Sequence, residues 1–255
     1  MSDCRAAQSI DEVIDRLTGI VTSTREARSR PGYFAALYRK VTIQVREGIR
    51  NGHFEDSQRM ERFDVIFANR YLDAHSTFQR GGSPSRVWEF AFENAGAWWP
   101  IVLQHLLLGM NAHINLDLGI AAAQTMRGGS IEDLHGDFNR INGILASLVD
   151  DVQNELARVW TMLRVFNRLL GNVEDGLIEF SMTKAREEAW RSAGIFWSTP
   201  EADWPSAIDA QDNKMMRLAR IVRGPGILAG MATRIVRVGE IQDVRRVIDI
   251  LTGST

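Results

Sequence analysis

The sequence predicts an all-α protein, a single-domain helical bundle built around a central helix that is buried yet lined with polar side chains. Three observations carry this. Apolar residues recur with a period near 3.6 along almost the whole chain, and no run of alternating residues reads as a strand. The stretch Trp98 to Gln124, WWPIVLQHLLLGMNAHINLDLGIAAAQ, is too apolar for a surface helix. It nevertheless carries Gln104, His105, Asn111, His113, Asn115 and Asp117. Polar groups are costly to bury without partners, so these either form a network or line a site.

The elements follow in order. Ile10, Val13, Ile14, Leu17, Ile20 and Val21 give a first helix from Ser9-Ile10 to Arg28, stopped by Pro31-Gly32. Tyr33, Leu37, Val41 and Val45 form the stripe of a second, ending at Asn51-Gly52. Asp56 suits the cap of a third, which runs to about Gln79. After the Gly81-Gly82-Ser83-Pro84 loop, Ser85 is placed to cap a short aromatic helix through Glu93. Pro100 suits the first turn of the central helix, and Arg127-Gly128-Gly129 ends it. Ser130 with Asp133 resembles a capping box, followed by helix from Ile131 to Leu170 in one piece or two. Gly171-Asn172 breaks it, and helix resumes from Val173 to Trp197. Pro205 opens a helix to Arg223, and two short helices, about Ile227 to Val238 and Ile241 to Leu251, close the chain. Residues 1–9 are expected to be a mobile N-terminus, 10–197 the helical core domain, and 198–255 C-terminal helices packed on it, as a looser appendage.

The chain has 255 residues, 45% of them apolar, and a net charge of −2, so no global field attracts nucleic acid. Its 27 arginines against three lysines read as genome composition. Cys4 is the one cysteine, which excludes an internal disulfide and a thiolate cluster. There is no signal-peptide pattern, and the longest apolar run, Leu116 to Ala123, is too short to span a bilayer, so a cytoplasmic protein is expected.

On the helical wheel of the central stretch, Leu103, Leu107, Met110, Ile114 and Leu118 form the ordinary core stripe. Gln104, Asn111 and Asn115 share a second line. His105, Gly109, His113 and Asp117 share a third, where His113 and Asp117 stand four apart and can reach one ion or one hydrogen bond together. Gly109 leaves a gap for a ligand or a neighbouring helix. Further donors come from the third helix, with Glu61, Asp64, Asn69, Arg70, Tyr71, Asp73 and His75, and from the helix after Asn142, where Asp150 is better placed for burial than Asp151. The bland alternative is a buried polar network in which Arg70 pairs with Asp73 or Asp117. Glu-x-x-His, His-Glu-x-x-His, Gly-x-Ser-x-Gly, Walker and Rossmann patterns are all absent.

QHLLLGMNAHINLDLGIA, together with YFAALYRKVT, MERFDVIFANRYLDA and DFNRINGILASLVDDVQ, resembles an uncharacterised bacterial family, a domain of unknown function, over roughly residues 10 to 195. The resemblance implies that Asp64, Asn69, Arg70, Gln104, His105, Asn111, His113, Asn115, Asp117, Asn142 and Asp150 belong to the shared pattern. It implies no activity.

These residues suggest a metal-dependent enzyme acting on a small molecule, with hydrolysis slightly favoured. His113, Asp117, Asp64 and Asp150 would hold a divalent Zn, Fe or Mn ion. His105 and Arg70 would be catalytic, and Gln104, Asn111, Asn115 and Tyr71 would bind substrate. The alternative is a metal-free helical pocket that binds, isomerises or cyclises an apolar metabolite, motivated by the aromatic residues between Trp88 and Trp99. A further alternative is peripheral membrane contact through RLARIVR and TRIVRV. A homodimer is left open as the assembly.

Overall fold

In a computed structural model that describes residues 5–160, 182–224 and 226–253, the helical periodicity is realised as eleven α-helices, with one isolated bridge, Trp160 to Glu240, and no strand among the described residues. They are α1 (Ile10–Glu26), α2 (Pro31–Arg50), α3 (Ser57–Gln79), α4 (Arg86–Gly96), α5 (Val102–Ala112), α6 (Gly119–Thr125), α7 (His135–Val159), α8 (Met182–Ser198), α9 (Trp204–Arg223), α10 (Ile227–Gly239) and α11 (Val244–Leu251). A π-helical segment, His113–Leu118, joins α5 to α6 without a break. The expected ends at Leu170, Gly171-Asn172 and Val173 lie outside the described residues.

Caps show where local sequence decides and where it does not. Ser9 accepts from the Glu12 N–H and Asp56 from the Arg59 N–H, as their positions suggest. Ser85 makes no side-chain cap; the carboxylate of Asp212 on α9 accepts from the N–H groups of Arg86 and Val87 instead, at 2.7 and 3.0 Å. A charged acceptor at two orphan donors is the stronger cap. Ser130 does not cap either, and Ile131–Leu134 is a 3₁₀ turn leading into α7. The central helix begins at Val102 rather than in the Trp98-Trp99-Pro100 turn. Its first N–H groups are taken by Glu240, which accepts from Val102, and by Gln104, which accepts from Ile101.

The continuous helix Val102–Thr125 is long and apolar enough to cross a membrane by length and composition, and 89% of the relevant window is buried within the fold. It stands between two cores. Leu106, Leu108, Ala112, Leu116 and Ile120 join the larger one. Leu118, Ala121 and Ala122 join the smaller, with Phe63, Phe138, Ala189 and Ala193. Small residues let α6 and α8 approach closely: a Cβ on Gly119 would sit 2.8 Å from the Ala189 carbonyl oxygen. The C-terminal helices are not a loose appendage, since Met215, Ala219, Val222, Val247 and Ile248 are buried in the larger core.

Candidate functional site

The chemistry gathers at the π-helical segment. Such segments place the backbone in a wider turn and frequently mark functional positions. Here the turn carries His113 and Asp117, both buried. His113 Nδ1 lies 3.4 Å from Asp117 Oδ2, which also accepts from the Trp88 indole N–H at 2.8 Å. Asp117 Oδ1 accepts from Arg70 Nε at 2.7 Å. Burial pushes the Asp117 carboxyl up, but the Arg70 charge, His113 and the Trp88 hydrogen bond outweigh it and hold the group below the ordinary carboxylate range. Burial lowers His113 below an ordinary histidine, against the pull of Asp117, so the imidazole is neutral. A neutral ring that donates from Nδ1 to a carboxylate leaves Nε2 as an acceptor, and Nε2 has no hydrogen-bond partner.

His113 borders a cavity of about 260 Å³ between α2, α3, the central helix, α7 and α8. Its lining is apolar except for Tyr38, Asp64, His113 and Arg186. The stripe read as ordinary core, Leu103, Leu107, Met110, Ile114 and Leu118, packs with the two cores and is also one wall of this cavity, where it faces the gap between α2, α7 and α8. The gap expected at Gly109 is closed by the Phe34 ring, whose atoms lie 2.5 Å from where a Cβ would be. Phe34 in turn lines the cavity.

Asp64 is buried on α3 with Oδ2 unpartnered. Burial, with a smaller contribution from Glu61, raises its carboxyl to about 7. The Tyr38 hydroxyl is also unpartnered. Burial first, then the charge of Asp64, raises it well above an ordinary phenol, which keeps it a neutral donor. The site thus offers a fixed base, a protonatable carboxyl and a hydroxyl in dry surroundings.

The other candidates are placed elsewhere. Gln104 donates to the carbonyls of Val222 and Arg223, and Asn111 to that of Met215. Asn115 donates to Asn111, and its own carbonyl accepts from Gln211. This polar line therefore fastens α9 to the central helix and does not line the cavity. His105 also lies off the cavity, beside Tyr33, with neither ring nitrogen partnered. Burial, helped by Arg30, Arg237 and Arg223, lowers it to about 3. Tyr71 is fully buried against Phe34, Tyr38 and Trp88 and does not line the cavity either. Arg70 positions Asp117 from outside the cavity wall, the pairing that the bland alternative allowed. Asn69 ties down the chain before α1 through both backbone groups of Ala7. The Asp150 side chain lies outside the described residues.

Of the four candidate metal ligands, Asp117 has both oxygens engaged, while His113 and Asp64 border one cavity and each keeps a buried atom without a hydrogen-bond partner, Nε2 and Oδ2. Among the described residues no group of three or more His, Cys, Asp or Glu gathers to hold an ion. Two donors leave a Zn, Fe or Mn ion short of a resident coordination set, so these residues alone do not fit one.

Sequence reasoning missed Arg186. It lies on the buried face of α8 with Ala189, Ala193 and Phe196, at helical spacing. That spacing was a signal, since an arginine inside a stripe of small and apolar residues is not on a solvated face.

The chain belongs to the family of unknown function DUF5995, whose model matches residues 10–225. The match runs past the expected limit near residue 195 to take in α9, the helix held by Gln104 and Asn111. Neither the curated proteins nor the solved structures include a match to the chain.

Proposed function

We propose that this member of a family of unknown function is a metal-free acid–base catalyst that isomerises or cyclises a small, largely apolar molecule held in the cavity. One observation carries the reading. The unpartnered Nε2 of His113, oriented through Nδ1 by Asp117, shares an apolar cavity with an Asp64 carboxyl raised to about 7. Paired groups whose surroundings set different protonation states take the roles of base and acid. His113 Nε2 accepts a proton from the substrate, and protonated Asp64 delivers one to another of its atoms. Transfer of the imidazolium proton to the Asp64 carboxylate then restores both groups. Arg70 and Trp88 act through Asp117 as positioning residues, and the Tyr38 hydroxyl can donate to a substrate oxygen. The net reaction moves a proton within one molecule and consumes neither water nor a cofactor, which suits an apolar site.

The test is untargeted mass spectrometry of a metabolite extract incubated with the protein or with His113→Gln. The reading expects a species depleted by the wild type, with a product of identical mass, and spared by the variant. If no species depends on His113, the catalytic reading fails. Metal-dependent hydrolysis is the competing reading. Stoichiometric Zn, Fe or Mn in protein purified without a tag, lost in His113→Gln, would replace the metal-free reading with it.

A further inference from the structure

Among the described residues most buried charges have a partner of opposite sign or, as Asp212 does, the N–H groups of a helix start. Asp117 has Arg70, Asp137 has Arg59 and Arg140, Arg237 has Glu240, and Glu155 has Lys40. Asp64 escapes the cost by holding its proton near neutral pH. Arg186 has no such escape: burial lowers it only to about 10, so it is still a cation at neutral pH. It is 4% exposed, and no carboxylate among the described residues pairs with it. An uncompensated buried charge is among the costlier arrangements a fold can retain.

What Arg186 does have is a rigid mounting. Its Nε donates to Asn142 Oδ1 and one terminal nitrogen donates to the Phe138 carbonyl. The guanidinium carbon sits 4.3 Å over the Phe138 ring. These contacts use Nε and one N–H of the fork and fix its plane, while Arg186 lines the same cavity as His113 and Asp64. A planar fork with spare donors matches the two oxygens of a carboxylate. One positive charge balances a monoanion, whereas a dianionic phosphate would bury a surplus negative charge.

We propose that the molecule held in this cavity is an amphiphilic carboxylate, its apolar body against the Leu107, Met110 and Ile114 wall and its carboxylate on Arg186. This rests on the cavity being the ligand site, and it adds the substrate class. The volume, about 260 Å³, is many times what one water needs, at ~10–15 Å³, and leaves room for a medium-length chain.

Isothermal titration calorimetry at pH 6.5 with decanoate, decanol and decyl phosphate separates the cases. Decanoate should bind the wild type at least tenfold more tightly than decanol and more tightly than decyl phosphate. Arg186→Met should remove the preference for decanoate while leaving decanol unchanged. Decanol equal to decanoate on the wild type would overturn the carboxylate assignment and leave the apolar site standing, and this comparison does not depend on the variant folding. Decyl phosphate binding best would also overturn it. Failure of all three to bind would remove the cavity as a ligand site, and the acid–base reading with it. If the preference survives in Arg186→Met, the anion is held elsewhere and the assignment falls.

Discussion

The ring of Phe67 lies flat on the imidazole of His113, 3.6 Å between centroids and 8° from parallel, while the Tyr38 ring meets it nearly edge-on at 4.4 Å. Two rings and the Asp117 carboxylate therefore fix both the plane and the direction of the imidazole. At pH 7 a long-range ¹H–¹⁵N spectrum should show His113 neutral, with its proton on Nδ1 and a bare Nε2. A proton found on Nε2 would remove His113 as the base.

Asp64 gives a pH signature whose sign is set by its raised pKa. Between an unfolded value of 3.8 and about 7 the folded protein holds a proton that the unfolded chain has released. That stabilisation is complete below the unfolded value and is lost as pH rises through about 7. The amide introduced by Asp64→Asn would mimic the protonated form at every pH. The melting temperature of Asp64→Asn minus that of the wild type should thus grow between pH 5 and pH 8. The growth should be several degrees, at ~1.4 kcal/mol per pKa unit and ~2–4 °C per kcal/mol. A constant difference would mean that Asp64 is ionised throughout.

His105 has the opposite sign. Lowered to about 3, it stays neutral in the fold while the unfolded chain takes up a proton below about 6.5. Its contribution is complete above that pH and shrinks as the solution is acidified. His105→Leu should therefore lose less melting temperature than the wild type between pH 7 and pH 4.5, and its ligand affinity should not change. A drop in decanol affinity would place His105 in the site after all.

Arg70→Met leaves Asp117 a buried carboxylate with hydrogen bonds but no counter-charge. Removing one member of a buried pair costs about 3 kcal/mol, or roughly 6–12 °C in a chain of this size. The loss should be smaller at pH 5 than at pH 8, because an unpaired Asp117 can then take up a proton. Thermal melts at the two pH values check both statements.

Gly109→Ala puts a methyl where the Phe34 ring now lies, 2.5 Å away, and overpacking of this kind costs about 1–3 kcal/mol. Because Phe34 lines the cavity, decanol affinity should fall in parallel. Gly143→Ala is the contrast: a Cβ there meets nothing within 4 Å, and an exposed helix interior should gain about 0.5–1 kcal/mol.

The helices and the importance of the central one were legible because both follow from the spacing of apolar residues along a single stretch. So was the His113–Asp117 pair, which needs only four-residue spacing. The partners of the polar lines were not. Whether Asn111 meets a substrate or the Met215 carbonyl depends on where α9 lies, more than a hundred residues away in sequence. The same holds for the Leu103 to Leu118 stripe, which is core alone or also cavity wall according to how far α7 and α8 stand from it. The π-helical turn is a shift of hydrogen-bond register, and nothing in HINLDL announces it. Arg186 is one of 27 arginines, and only the face it shares with Ala189, Ala193 and Phe196 on α8 sets it apart.

That π-helical turn makes the geometry of the cavity depend on chain length at one spot. Take a single residue out of Ile114–Leu116 and the helix closes into an uninterrupted α-spiral with Gly119 still at the Ala189 carbonyl and α8 still seated, because the wide turn holds one residue more than an α-turn over nearly the same rotation. His113 and Asp117 would then stand three residues apart instead of four. One residue of length therefore sets how the carboxylate meets the imidazole, while the wall that carries Arg186 keeps its place.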